Sequence, residues 1–409
     1  MNRIRSHPAY PYVIRILLIG LVIVLAFQVT RIRATTKNDQ PGTTDLVNYW
    51  AAGQLLRAGE NPYDQNALDQ VQLGPGSLHP TRIWNPPWLL LWIFPFLLLA
   101  FPTATTVWFA VNFGIILTCG TILWRIFASP PIRKQVGMAW VATIAFVPAL
   151  FTLRMGQITT IVLLGTVGFL YFASRDSDFL AGMCLALTTV KPHTVYLVWI
   201  AVVWWVIQER RWKTVGGAAS LLLPTLVLLT LMWPGWVSGY RANMIANPPW
   251  LLATPTIGGI LRLFVFPETP LIQFVPAIVA GLSLLGYLTL KRPALNWKTA
   301  LSPLLLISTP TAAFGWSFDY IVLLVPYIQI IIWLTGGQAV AIRYKATLVA
   351  SLLLIAALMV IQNLLKTNDA FFFWMPWALG AAYLYAHAGR SIGITPSLSY
   401  GREVAYDRL

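Results

Sequence analysis

Long apolar runs separated by short basic clusters fix what this chain can fold into. Runs at 13–29, 215–232, 271–290, 319–335 and 346–361 are long enough, or nearly so, to cross a hydrocarbon core about 30 Å thick. Backbone in lipid must satisfy its own hydrogen bonds, so such runs read as helices. Only 10% of the 409 residues are charged, against about 25% in a soluble domain. Arg31, Ile32 and Arg33 follow the first run in place of a small-residue cleavage pattern, which predicts a retained helix. The expectation is an all-α polytopic membrane protein with 11 to 13 transmembrane helices.

The net charge of +15 would suggest nucleic acid in a soluble protein. Here the cations sit between the apolar runs: Arg3, Arg5 and Arg15, then Arg133-Lys134, Arg210-Arg211 with Lys213, Lys291-Arg292, and Arg343 with Lys345. That is the positive-inside distribution, and it places the N-terminus and these loops in the cytoplasm. No segment is large enough to offer a basic surface to nucleic acid. Cys119 and Cys184 lie in apolar stretches and read as packed thiols. Two cysteines and four histidines give no zinc-type cluster.

Between the first two apolar regions lies a polar island, residues 34–85. It holds five of the 13 acidic residues: Asp39, Asp45, Glu60, Asp64 and Asp69. Thr43 or Thr44 can cap a short helix ending at Gly59. Leu46, Tyr49, Gly53 and Leu56 recur at near-helical spacing beside Trp50, which predicts an amphipathic helix on the membrane surface. A second, weaker helix is expected over 65–73.

Trp84-Asn85-Pro86-Pro87-Trp88 marks re-entry, with tryptophans at interfacial depth. Apolar segments follow at 87–101, 104–127, 137–150 and 156–173. Segments 179–190 and 194–208 flank Lys191-Pro192-His193 and look like a broken pair. A second outer loop, 233–270, is expected to hold a short buried helix near 256–267. Helices near 271–290, 298–312, 319–335, 346–363 and 372–388 complete the bundle, and 389–409 reads as a cytoplasmic tail. The parity is not clean. Two apolar segments separate the outer island from Arg133-Lys134, where an odd number of crossings is needed, so one is re-entrant or that cluster breaks the charge rule.

Ionisable groups at membrane depth are costly and mark function first. Arg154, Lys191, His193 and Asp319 interrupt or adjoin apolar segments, and charge parity places them on the outer side with Asp45, Arg241 and Arg262. Cations there suit a lipid phosphate, with Arg as a fork and Lys as a point charge. A carboxylate can take the proton of an attacking hydroxyl. Each residue also has a structural role open to it. Asp45 suits a helix start, Lys191 can snorkel, Arg154 and Gln157 can close a turn, His193 can pack, and Asp319 can cap.

The motifs together resemble glycosyltransferase family 87. The likeness rests on Thr44-Asp45-Leu46-Val47-Asn48-Tyr49-Trp50-Ala51-Ala52-Gly53 and Ala58-Gly59-Glu60-Asn61-Pro62-Tyr63-Asp64. Trp84-Asn85-Pro86-Pro87, Gly156-Gln157, Lys191-Pro192-His193, Arg210-Arg211-Trp212 and Ser317-Phe318-Asp319-Tyr320 extend it over about residues 10–335. Asn85 and His193 depart from the residues usual at their places. The resemblance implies a GT-C fold, with a catalytic module over 1–210, a variable module over 211–388 and the tail beyond. It implies inverting transfer of a sugar, mannose first and arabinofuranose second, from polyprenyl phosphate to an extracytoplasmic glycolipid or cell-envelope glycan. Asp45 would be the general base. Arg154, Lys191, His193, Arg241 and Arg262 are the candidates for the donor phosphate. Asn48, Tyr49, Asn61, Tyr63, Trp84, Gln157, Asn247 and Asp319 are the candidates for sugar or acceptor. No metal or other cofactor is expected. Membrane lipids are the remaining partners. The competing class is a transporter or flippase of lipid-linked saccharide, which should show related halves; no internal repeat is legible.

Overall fold

The computed structural model describes residues 44–74, 80–249, 252–335 and 342–393. The expected first helix at 12–30, Asp39, the Thr43 cap, the N-terminal arginines and the tail from 394 lie outside the described residues. Among the described residues there is no strand. The chain is an all-α polytopic membrane protein.

The polar island folds into α1 (Thr44–Arg57) and α2 (Gln65–Leu73). The Asp64 carboxylate caps α2, accepting from the backbone N–H groups of Asn66 and Ala67. α1 is not the surface-lying amphipathic helix expected. Leu46, Val47, Asn48, Tyr49, Ala51, Ala52, Leu55 and Leu56 are all buried, so apolar and polar faces alike are covered. The reason is that its polar side chains find partners in the chain. Trp50 Nε1 donates to the Leu99 carbonyl at 2.9 Å and Gln54 Nε2 to that of Leu97 at 2.5 Å. Asn48 Nδ2 donates to Thr81 Oγ1 and to the Arg82 carbonyl, both at 3.2 Å.

The Leu97 and Leu99 carbonyls belong to segment 87–101, which does not form one long helix. It makes two short turns, Trp88–Trp92 and Phe94–Leu97, with Pro95 opening the second. The next helix, α3 (Phe101–Phe127), is about 40 Å long at 1.5 Å per residue and is the first described span. Segment 87–101 thus breaks into short turns, and one helix long and apolar enough to span lies between the island and Arg133-Lys134.

The chain returns through α4 (Val136–Ala145) and α5 (Val147–Met155), bent by 70° where Phe146 leaves the helical region and Pro148 starts the second piece. α6 (Thr159–Ala173), α7 (Asp178–Leu187) and α8 (Tyr196–Glu209) follow, with a break at Lys191 between short 3₁₀ turns. These three helices have Gln157, Lys191 and Tyr196 at one end. At the other end Arg211 ties Asp176 at 2.9 Å, Glu209 at 3.3 Å and Asp178 at 3.4 Å. α7 crosses α9 (Trp212–Met232) at backbone contact. A Cβ on Gly182 would collide with the Thr214 carbonyl, and one on Gly217 with that of Phe179.

The second loop carries a helix the sequence did not suggest, α10 (Trp236–Ala246), and the short helical turn expected near 256–267, formed by Ile257–Ile260 and a π-turn over Leu261–Val265. α11 (Val275–Lys291), α12 (Trp297–Thr311), α13 (Leu324–Thr335), α14 (Ile342–Leu364) and α15 (Met375–Gly393) complete the bundle. Among the described residues, five stretches are long and apolar enough to span: Phe101–Phe127, Trp212–Met232, Pro270–Lys291, Ser317–Thr335 and Lys345–Leu364; the bent α4–α5 pair, taken as one span, makes a sixth. α6 and α7 are apolar but shorter. The expected first helix lies outside the described residues, and breaks at 93, 146 and 191 divide other apolar runs into shorter pieces.

Candidate active site

Three distant segments converge beneath α1. Gly156 ends α5 with φ +64°, a left-handed conformation that glycine adopts without strain, and turns Gln157 inward. Thr159 opens α6. Lys191 sits at the break between α7 and α8. Asp319 lies in the 3₁₀ turn Ser317–Leu323 that leads into α13.

Lys191 Nζ donates to Asp319 Oδ1 at 2.8 Å, to Gln157 Oε1 at 3.0 Å and to Thr159 Oγ1 at 3.2 Å. Gln157 Nε2 in turn donates to Asp45 Oδ2. Thr159 Oγ1 donates to Asp319 Oδ1 at 2.6 Å, and the Trp316 backbone N–H donates to Asp319 Oδ2 at 3.0 Å. Lys191 and Asp319 are buried, with 5% and 1% of their side chains exposed. Asp45 is half-buried at the end of this chain of bonds. Burial raises its pKa to about 6; the Gln157 hydrogen bond and the Lys191 charge pull it down, and Asp319 pushes it up.

Asp45 opens onto a cavity of about 700 Å³, within the about 300–1,000 Å³ of small-molecule sites. Asn48, Tyr49, Gln157, Lys191 and His193 line it. Trp84, Phe314, Trp316 and Phe318 supply aromatic wall, and Arg82 lies exposed on it. Trp84 and Trp316 stack at 6.2 Å, and Trp316 and Phe318 at 5.9 Å. Two buried polar atoms on the wall, Asn48 Oδ1 and His193 Nε2, lack a hydrogen-bond partner among the described residues. An orphaned buried polar atom is costly, and a polar ligand would satisfy both.

The wall is held from outside. Tyr63 Oη donates to the Asn85 carbonyl at 2.6 Å and Asn85 Nδ2 to that of Val190 at 3.2 Å, so the island is tied to the Lys191 break. Trp84 Nε1 donates to the Asn247 carbonyl at 2.7 Å, and Tyr240 Oη to the Trp84 carbonyl at 3.2 Å.

Of the residues singled out in the sequence, Asp45, Asn48, Tyr49, Trp84, Gln157, Lys191 and His193 line the cavity. Asp319 lies behind it, bonded to Lys191. The structure does not bring the others to its wall. Arg154 donates to Asn363 Oδ1 at 3.0 Å. Arg262 donates to Gln273 Oε1 at 2.7 Å and to the Leu252 carbonyl at 2.6 Å. Arg241 is exposed on α10. Asn61 Oδ1 accepts from the Tyr63 N–H at 3.0 Å, closing the turn before α2. Tyr63 is packed beneath the wall, and Asn247 Nδ2 bonds Asn243 Oδ1 at 3.1 Å. Sequence reasoning missed Arg82, Thr159, Trp316 and the wall role of Phe318. Arg82 stands two residues before Trp84-Asn85-Pro86-Pro87, and Trp316 directly before Ser-Phe-Asp-Tyr; adjacency to those motifs was the available signal.

The sequence matches glycosyltransferase family 87 over residues 84–309, more than half of the chain. Neither the curated proteins nor the solved structures searched contain a significant match.

Proposed function

The chain belongs to glycosyltransferase family 87, and from that premise we propose that it transfers one sugar from polyprenyl phosphate to an extracytoplasmic glycolipid or cell-envelope glycan, with mannose as the sugar. The observation that carries this reading is Asp45: a half-buried carboxylate, held by one oxygen, at the wall of a cavity with aromatic sides and orphaned polar atoms. In the proposed reaction an acceptor hydroxyl oxygen attacks the anomeric carbon of the donor. Its proton passes to Asp45. The bond from that carbon to the phosphate oxygen breaks, and polyprenyl phosphate leaves with the electron pair. Direct displacement of this kind inverts the anomeric centre.

The leaving phosphate needs positive charge or donors, not a proton. Arg82 and His193 are the wall residues able to supply them, because the Arg82 side chain has no hydrogen-bond or ion-pair partner among the described residues and His193 Nε2 is unpaired. Trp84, Trp316 and Phe318 offer flat apolar faces to a sugar ring, and Asn48 and Tyr49 offer hydrogen bonds. The face of the membrane at which this occurs is read as the outer one from the basic clusters.

The test uses purified protein in liposomes, several polyprenyl-phosphate sugars offered side by side, and mass spectrometry of the product. Transfer of mannose, with no ion gradient and in the presence of EDTA, is expected. Transfer of glucose or galactose in its place sinks the sugar assignment alone. Movement of intact lipid without a new glycosidic bond sinks the reaction.

A further inference from the structure

The ammonium of Lys191 has three N–H donors and no acceptor. All three are engaged inside the protein, by Asp319, Gln157 and Thr159 at 2.8–3.2 Å. Its charge is met by the buried Asp319 carboxylate, whose own oxygens are filled by Lys191, Thr159 and the Trp316 N–H. A side chain so occupied has no donor left for a substrate phosphate. Its one connection toward the cavity runs through Gln157.

Gln157 has a donor end and an acceptor end. Turning its amide over would set its NH₂ against the Lys191 ammonium and its carbonyl against the Asp45 carboxylate. Both contacts would be repulsive, so the cation selects one orientation. In that orientation the amide NH₂ grips Asp45 Oδ2, while Oδ1 has no partner among the described residues. We propose that Lys191 and Gln157 are positioning residues. Lys191, anchored by Asp319, sets the Gln157 amide, and the amide holds one oxygen of Asp45 so that the other is free for the acceptor hydroxyl. This deepens the reading of Asp45 as the base and rests on it. It assigns Lys191 to ordering the base and not to the donor phosphate.

The charged and titratable groups facing Asp45 are Tyr49 on its own helix, Arg82, Lys191, His193 and Tyr240 on the cavity wall, and Asp319 behind Lys191. Of these, Lys191 and, through it, Asp319 are joined to Asp45 by a continuous path of hydrogen bonds that passes through Gln157.

Two variants break the path without stranding a charge. Gln157→Met removes the amide, and the double variant Lys191→Met with Asp319→Asn removes the ion pair as a unit. Two readouts are taken on full-length protein in detergent. In the first, carbodiimide labelling of the protonated Asp45 carboxyl is followed by mass spectrometry from pH 4.5 to 8.5, which needs no turnover. The labelling midpoint is expected near the about 6 of the wild type and higher in both variants, by more in Gln157→Met, because the double variant loses the lowering Lys191 charge together with the smaller raising effect of Asp319. In the second, transfer kinetics are expected to show kcat lower by about 10²-fold, the cost of a misplaced reacting group, with donor KM changed less than about threefold. Midpoints unmoved in both variants overturn the proposal. So does a donor KM that rises with the double variant while kcat holds, because that is the signature of a phosphate ligand. A wild-type protein without transferase activity whose midpoint still moves on substitution leaves the positioning intact and removes the glycosyl-transfer reading instead.

Discussion

Asp45 combines a raised pKa with one engaged oxygen, and both bear on how it would work as a base. Asp45→Asn keeps the shape and the contact with Gln157 but cannot accept the proton. General-base catalysis is worth about 10²- to 10⁴-fold, so turnover should drop by that factor while donor binding, measured by fluorescence quenching or calorimetry, stays within about threefold. Near wild-type turnover would exclude Asp45. The pH dependence has a definite sign. The acid form cannot take a proton, so kcat/KM should be flat well above pH 6 and fall about tenfold per unit below the pKa of about 6 set chiefly by burial. A profile flat down to pH 5 would contradict it. The Lys191–Asp319 pair makes a separate claim. Removing one partner leaves the other as an uncompensated buried charge, at a cost of about 3–5 kcal/mol, so Asp319→Ala should lower the melting temperature far more than the double neutral variant. Equal losses would show that the pair is screened by water. At this scale the sequence was generous with identities and poor with relations. Asp45, Gln157, Lys191 and Asp319 each stand out as rare polar groups among apolar ones. That Lys191 is neutralised by a residue 128 positions away has no local signature, and it changes what the lysine can do.

Elements show the same division. Helices were legible from apolar length, and the broken pair around Lys191 from its Pro192. The burial of α1 was not, because Asp45, Asn48 and Gln54 look solvent-facing until Gln157, Thr81 and Leu97 arrive from elsewhere in the chain. Nor was the helix Trp236–Ala246, whose internal glycine and mixed polarity give no clear period. The α7–α9 crossing supports a prediction at this scale. α7 leads directly into the Lys191 break, and its contact with α9 depends on the missing side chains of Gly182 and Gly217. Gly182→Ala would press a methyl group into the Thr214 carbonyl. Overpacking of this kind costs about 1–3 kcal/mol, and it should appear as a lower melting temperature in detergent and a loss of transfer larger than at Gly216, where a Cβ meets nothing within 4 Å. Equal tolerance at Gly182 and Gly216 would mean the helices can part without consequence.

For the whole molecule the structure places the island and the Arg133-Lys134 cluster at opposite ends of α3. A single cysteine at Glu60→Cys and one at Gln135→Cys, each in a chain lacking Cys119 and Cys184, should react with an impermeant maleimide from opposite sides of the membrane in spheroplasts. Labelling of both from one side would restore segment 87–101 as a full crossing. The wall of the cavity draws on residues before and after the expected module boundary at 210, since Trp316 and Phe318 line it together with Asn48 and Gln157. The meeting of Lys191 with Asp319 therefore has a consequence for biogenesis. As the ribosome feeds helices into the bilayer, Lys191 emerges long before its counter-charge. A chain arrested short of residue 319 carries an ammonium it cannot bury, and must hold it at the water interface or present it to the insertion machinery and its proteases. Completion of the ion pair would then act as a checkpoint on synthesis, and nonsense truncations between residues 191 and 319 should be cleared from the membrane instead of accumulating as partial enzyme.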